Sequence, residues 1–387
     1  MDYTKQVFID LLANCICEEK KINEIDFSKL DSEELLFLSS ENTVSAIVYT
    51  SLKDFENAPE ELMEKLKREF SRNALKMAKF DTVQNQVVEH LNDSDIPFAI
   101  VKGKTIAKYY PSPELRNMAD IDVLVWPKDY KNAKELFHSF CDEKPGQVDN
   151  EFEYSFMTNG VTIELQNNLA YEKNLAGVFD YEKYFGDLLN HTIKDGDVCE
   201  LEPTYSFIFN IYHMAQHFYY AGCGVRMVMD IAVLIKHFRD TFDWEEILST
   251  LKEIKLFEFA TNIFSIIDEW FGITIPSSSY KRAQVPDDCV KYIINAGIFG
   301  RASINSDVSY FRKNGGFLKW LFPSYGYMRK YYKWFENKPA ILLPAAYVGR
   351  MIHGLQMRGG VVKGISVTGQ TKKDYETHKE IVSKMGL

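Results

Sequence analysis

The sequence predicts an α+β fold, a small mixed β-sheet held between helical N- and C-terminal regions. Three observations predict it. Apolar residues recur at spacings of three and four through the first 95 residues. Short β-rich runs bounded by turn residues take over from 96 to 169. Helical periodicity then returns at 204. The expected organisation is an N-terminal helical region over 1–95, an α/β core over 96–200, a C-terminal helical domain over 201–358 and a polar, mobile tail over 359–387.

Asp31 or Ser32 can cap a helix entering SEELLFLSS. Pro59 suits the first turn of a long amphipathic helix through ELMEKLKREFSRNALKMAKFDTVQNQVVEHL. The turn-like residues 92–95 precede IPFAIV, a first strand, and DIDVLVW is a second. Pro127 is expected to open the helix PKDYKNAKELFHSF. EFEYSFM and VTIELQN follow as strands, with Asn159-Gly160 between them as a hairpin signal. Beyond Thr204, residues 205–220, 225–238, 244–255 and 257–270 read as helices, and 272–287 as a polar connection.

A chain of 387 residues has ample length for two or three structural units with a sizeable core. The formal net charge of -10 argues against broad nucleic-acid binding, which needs a basic face. It leaves a nucleotide substrate open, because Mg²⁺ and a few local cations can neutralise a triphosphate. The six cysteines are scattered without a CxxC pair, which fits a reducing, cytoplasmic setting. The first residues lack the basic and then apolar layout of a signal peptide. No run approaches the roughly 20 apolar residues that span a bilayer.

The chemistry-bearing constellation lies between Lys102 and Glu164. Side chains alternate faces along a strand, so Asp120 and Asp122 point the same way while Ile121, Val123 and Val125 point the other. Two carboxylates about 7 Å apart on one face can converge on Mg²⁺, or Mn²⁺, which takes hard oxygen ligands together with substrate phosphates. The plain alternative is a strand edge carrying two solvated acids. Lys102-Gly103-Lys104 sits where a strand enters a helix, and glycine there lets backbone N–H groups approach phosphate. Lys102 or Lys104 could contact phosphate oxygens, or both could be solvated. Arg116 could clamp a phosphate or pair with Asp120 or Glu114. Glu164 completes a three-carboxylate cluster if its strand lies beside the one carrying Asp120. It could then bind metal or act as general base, with Glu153 on the partner strand as the competing candidate.

The run IPFAIVKGKTIAKYYPSPELRNMADIDVLVWPKDYKNAKELF resembles the uncharacterised nucleotidyltransferase family of bacteria, a branch of the DNA-polymerase-β-like superfamily. Lys102-Gly103, Arg116, Met118, Asp120, Asp122 and Glu164 match its Lys-Gly turn, its Arg-x-Met-x-Asp-x-Asp segment and its later acidic strand. SFIFNIYHMAQHF, GVRMVMDIAVLI and FLKWLFPSYGYMRKYYKWF resemble its helical region. The resemblance implies a nucleotidyltransferase core that uses Mg²⁺ (or Mn²⁺) to move a nucleoside monophosphate from an NTP, ATP first among them. The acceptor is expected to be a hydroxyl-bearing small molecule, a sugar or a protein side chain, not nucleic acid. Two departures stand out. The superfamily's Gly-Ser phosphate turn is Lys-Gly here, and Gln166 stands where relatives often carry histidine. They leave room for a catalytically silent nucleotide-binding protein on the same fold.

His213 and His217 share a helix face in HMAQH and could bind zinc, but a packed or cleft-lining pair is the favoured reading. Arg226 and Asp230 are spaced as a helical ion pair and could also line the cleft. The basic, aromatic segment 317–358 is expected to pack on the core, with membrane-surface contact as a minor possibility.

Overall fold

The computed structural model describes residues 1–17, 21–143, 152–170, 175, 178–297, 322, 324–331, 335, 338–349 and 361–387. Four helices open the chain: α1 (Tyr3–Ile16), α2 (Ser32–Glu41), α3 (Ser45–Leu52) and α4 (Glu60–Asp93). Asp31 caps α2, its carboxylate accepting from the backbone N–H groups of Glu33 and Glu34 at 3.0 Å. Pro59 sits immediately ahead of α4, where its missing N–H costs no helical bond.

The α/β core follows as β1 (Phe98–Val101), α5 (Gly103–Ala107), β2 (Asp120–Val125), α6 (Tyr130–His138), β3 (Asp142–Glu143), β4 (Glu153–Thr158), β5 (Val161–Gln166), α7 (Tyr181–Tyr184), β6 (Thr192–Asp195) and β7 (Val198–Leu201). Helix α6 starts three residues past Pro127. Residues 126–129 form a turn instead, closed by the Asp129 N–H donating to the Trp126 carbonyl. Asn159 and Gly160 both take positive φ, 50° and 75°, and join β4 to β5 by a two-residue hairpin turn.

Seven strands form one sheet in the order β3-β4-β5-β2-β1-β7-β6. Strand β2 lies at its centre, antiparallel to β1 and parallel to β5. Every second residue of β1 and β2 faces a layer made by the C-terminal half of α4 and by α6. Phe98, Ile100, Ile121, Val123 and Val125 pack there with Met77, Phe80, Val87, Leu91 and Phe137. The other sheet face turns toward the C-terminal helices.

Those helices are α8 (Pro203–Tyr220), α9 (Val225–Phe238), α10 (Trp244–Glu253), α11 (Phe257–Phe271) and α12 (Asp287–Ala296), with α13 (Tyr325–Tyr331) and α14 (Val361–Lys384) beyond. Helices α8 to α12 and the end of α14 share one core with α1, α2, α3 and the start of α4, including Phe8, Leu12, Leu35, Val48, Phe207, Ile231 and Phe264. Buried Asn42 stitches the two ends of the chain together. Its amide donates to the carbonyls of Leu38 and Ile294, and its oxygen accepts from the Val225 N–H that opens α9. Helix α9 is thereby fixed at the residue before Arg226.

Residues 359–387, expected as a polar tail, are corrected by α14. Its last turn and the residue just beyond bury Ile381, Val382 and Met385 in the main core. His378 is buried as well, its ring nitrogens bonded to the Tyr292 hydroxyl and the Tyr219 carbonyl. The segment is polar on average, yet three apolar residues on one face suffice to dock its end. Among the described residues no helix is long and apolar enough to cross a membrane. The basic aromatic segment 317–358 falls largely outside the described residues.

Candidate active site

Strand alternation places Asp120 and Asp122 on the sheet face that looks toward α8 and α9. The parallel pairing of β2 with β5 sets Asp122 directly beside Glu164, and Asp120 beside Thr162. These residues form the floor of a cavity of about 390 Å³. That lies within the span of roughly 300–1,000 Å³ usual for small-molecule sites. Lys102, Gly103, Arg116 and Met118 form its side, and Asn210, His213, His217, Arg226 and Asp230 its helical roof.

Lys102 closes β1 with φ 58° and ψ -147°, a backbone region that non-glycine residues rarely occupy. The strain is held by Thr105, whose backbone N–H and hydroxyl both donate to the Lys102 carbonyl, at 2.9 and 2.7 Å. The result is that Lys102 Nζ lies 2.6 Å from Asp122 Oδ1. Gly103 follows at φ 41°. A Cβ there would stand 3.4 Å from Met118 Sδ and 3.7 Å from the Asp120 carbonyl, ordinary contact distances, so it is the positive φ that favours glycine at this turn. Lys104 leaves the cavity altogether and pairs with Asp81 of α4 at 2.7 Å.

The carboxylates repel one another in a buried setting. Burial raises the Glu164 pKa to about 8, with the like charges of Asp122, Asp120 and Glu153 adding to it. Burial likewise raises Asp122 to about 6; Lys102 opposes the rise, and Asp120 and Glu153 add to it. Burial alone would lower the Lys102 pKa, but the summed attraction of Asp122, Glu164 and Asp120 raises it. Gln166 donates weakly to both Asp122 Oδ1 (3.3 Å) and Glu164 Oε2 (3.4 Å), bridging the pair. Glu153 lies across from Gln166 on β4 and reaches the cluster through its charge, without lining the cavity.

Asp120, Asp122 and Glu164 are the residues that could hold a divalent cation. Among the described residues no three His, Cys, Asp or Glu side chains already form a metal-binding group. The oxygen donor set nevertheless suits Mg²⁺, which is commonly held by one or two carboxylates plus substrate phosphates. The raised carboxyl pKa values and the Lys102 ammonium on Asp122 mark the same need: the floor is short of positive charge.

Arg116 lines the cavity but is committed elsewhere. Its Nε and Nη2 donate to the two carboxylate oxygens of Asp230, at 2.8 and 2.9 Å, and both residues are buried. Neither Asp120 nor Glu114, the partners considered from sequence, receives a hydrogen bond from it. Tyr110 adds a third bond to Asp230 at 2.8 Å. Arg226 reaches the same carboxylate only at 3.4 Å. His213 and His217 stack edge to face at 4.4 Å on the roof. Burial, then the charge of Lys102, drives the His213 pKa well below the ordinary range, so its ring is neutral. Sequence reasoning missed Tyr110 and Asn210. Asn210 was findable, three residues before His213 on the same helix face. Tyr110 gave no signal, since its partner lies 120 residues away.

Two solved structures resemble parts of the chain. A candidate nucleotidyltransferase of Thermotoga maritima is 13% identical, with a TM-score of 0.26; the match covers 34% of this chain and 81% of that one. The Megavirus polyadenylate synthase is 14% identical, with a TM-score of 0.28, over 64% of this chain and 47% of that one. No curated protein is significantly similar to the chain. The model of the family described as uncharacterised nucleotidyltransferase matches residues 28–272, more than half of the chain, and the chain belongs to that family.

Proposed function

We propose that the cavity carries Mg²⁺-dependent transfer of a nucleoside monophosphate from an NTP to a hydroxyl-bearing acceptor, with release of pyrophosphate. ATP is the first donor to test. The acceptor is a small molecule, a sugar or a protein side chain; the acidic balance of the chain disfavours nucleic acid. The observation that supports this most is the parallel register of β2 with β5, which sets Asp122 beside Glu164 on the cavity floor that Asp120 shares.

In this reading Asp120 and Asp122 hold the metal. When bound, it supplies the charge that activates an attacking hydroxyl and eases departure of pyrophosphate. Glu164 either completes the metal set or takes the acceptor's proton. Burial and the neighbouring carboxylates raise the Glu164 pKa toward neutrality, which makes it a stronger proton acceptor than an ordinary glutamate once ionised. Lys102 would exchange Asp122 for phosphate oxygens, beside the Gly103 backbone. The acceptor enters between the sheet and the α8–α9 pair, past His213 and His217.

A second reading is favoured by one contact, the 2.6 Å pairing of Lys102 with Asp122. If the lysine stands permanently in the metal's place, the protein binds nucleotide without transferring it. Titrating Mg²⁺ with ATP, GTP, CTP and UTP into wild type, Asp120→Asn and Asp122→Asn separates the two. Metal-dependent binding lost in both variants, with pyrophosphate released in the presence of an acceptor panel, supports transfer. Binding without release across the panel supports the silent protein, and no binding of any NTP, with or without Mg²⁺, sinks both.

A further inference from the structure

The cavity carries three basic side chains, and their pairing is unequal. Lys102 is taken by Asp122 at 2.6 Å and Arg116 by Asp230 at 2.8 and 2.9 Å. Among the described residues Arg226 has only the 3.4 Å contact with Asp230, and its Nε is buried without a hydrogen-bond partner there. An orphaned donor of a charged group is expensive to keep out of water unless a ligand satisfies it.

The reason for the inequality is local. Asp230 has one negative charge and already accepts three hydrogen bonds from Tyr110 and Arg116. Buried Arg116 and partly buried Arg226 therefore share one carboxylate, and the group keeps a net charge of +1 beside the cavity. Burial and the like charge of Arg116 lower the Arg226 pKa, consistent with a cation short of compensation. Asp120 attracts Arg226 electrostatically but makes no hydrogen bond with it.

We propose that Arg226 is the anion receptor of this cavity, its planar donors free to take a phosphate oxygen pair because Arg116 and Tyr110 occupy Asp230. The phosphate role that the motif suggests for Arg116 thus passes to Arg226, and Arg116 becomes the strut that holds Asp230. This deepens the nucleotidyl-transfer reading and rests on it only for the source of the phosphate. That source is either the donor's triphosphate or a phosphorylated acceptor. A guanidinium with free parallel N–H groups suits either, since it can bind two phosphate oxygens at once.

The test begins with inorganic pyrophosphate, titrated calorimetrically without metal into wild type, Arg226→Gln and Arg226→Lys, each first checked for folding by urea melting. Arg226→Gln is expected to weaken pyrophosphate at least about tenfold, with Arg226→Lys in between because it keeps the charge and loses the fork. A folded Arg226→Gln that binds pyrophosphate as wild type does overturns the proposal. So does a wild type that binds none. The source follows from two further arms. If the donor's phosphates sit on Arg226, the preference for Mg-ATP over Mg-AMP shrinks in Arg226→Gln. If the acceptor's phosphate does, Mg-ATP binding is unchanged, and inorganic phosphate added to the protein saturated with a non-hydrolysable ATP analogue no longer binds the variant. Failure of the nucleotidyl reading looks different. Wild type would then bind no NTP with Mg²⁺, while pyrophosphate binding would still depend on Arg226.

Discussion

Replacing Glu164 by glutamine is expected to stabilise the metal-free protein at high pH while stopping the reaction. The magnitude follows from the carboxyl's setting. An unfolded chain titrates Glu164 near 4.5, and the folded cavity raises this to about 8. Between those values the folded state binds more protons than the unfolded one, so wild-type stability falls as pH rises through the window and stays low above it. At about 1.4 kcal/mol per pH unit, the ceiling on that loss is about 5 kcal/mol. Water and neighbouring charges screen part of it, leaving on the order of 2–4 kcal/mol. Glutamine cannot ionise and escapes the loss. Urea melts in EDTA at pH 5, 7 and 9 should therefore show the two proteins close together at pH 5 and the variant ahead at pH 9. Mg²⁺ should close part of the gap by stabilising the ionised wild type. Stability curves for the two proteins that stay parallel from pH 5 to 9 would refute the claim that burial, with the neighbouring carboxylates, raises the Glu164 pKa.

Other substitutions test the remaining parts. Arg116→Ala leaves Asp230 buried with only Tyr110 and the long Arg226 contact, and should cost about 3–5 kcal/mol in urea unfolding. A loss below about 1 kcal/mol would mean the pair is not the strut described. Gly103→Ala puts a side chain at φ 41° against Met118 and should cost about 1–2 kcal/mol and lower NTP affinity; unchanged stability would argue against the tight turn. Removing residues 378–387 strips Ile381, Val382, Met385 and the bonded His378 from the fold, and a melting temperature unchanged by that truncation would contradict the docking of α14.

The sequence carried the helices well because their apolar faces repeat every three or four residues, as in α8, α9 and α11. Four of the seven strands were legible, β1 as a short apolar run and β2 and β5 by alternation, and the Asn159-Gly160 turn announced the β4–β5 hairpin. The second hairpin, β6–β7, was overlooked, although Gly196-Asp197 with φ 63° at the glycine is a similar signal. Helix α14 was hidden because a few apolar residues in a polar segment do not raise its average. At the site, alternation alone aimed Asp120 and Asp122 the same way. The neighbourhood of Glu164 was conditional on β5 lying beside β2, which is a matter of tertiary pairing. Least legible were the bonds between distant residues. Arg116 and Asp230 lie 114 residues apart, and no local rule links them. Lys104 looked equivalent to Lys102 on paper, yet the strained turn sends one lysine to Asp122 and the other to Asp81.

The central claim is that Asp120 and Asp122 take up a divalent cation together with a nucleotide. A crystal structure determined with Mg²⁺ and a non-hydrolysable ATP analogue tests it most directly. The expected result is metal within about 2.0–2.1 Å of oxygens from both aspartates and from the analogue's phosphates, with Lys102 withdrawn from Asp122. A nucleotide bound with Lys102 still seated on Asp122 and no metal on either aspartate would contradict it.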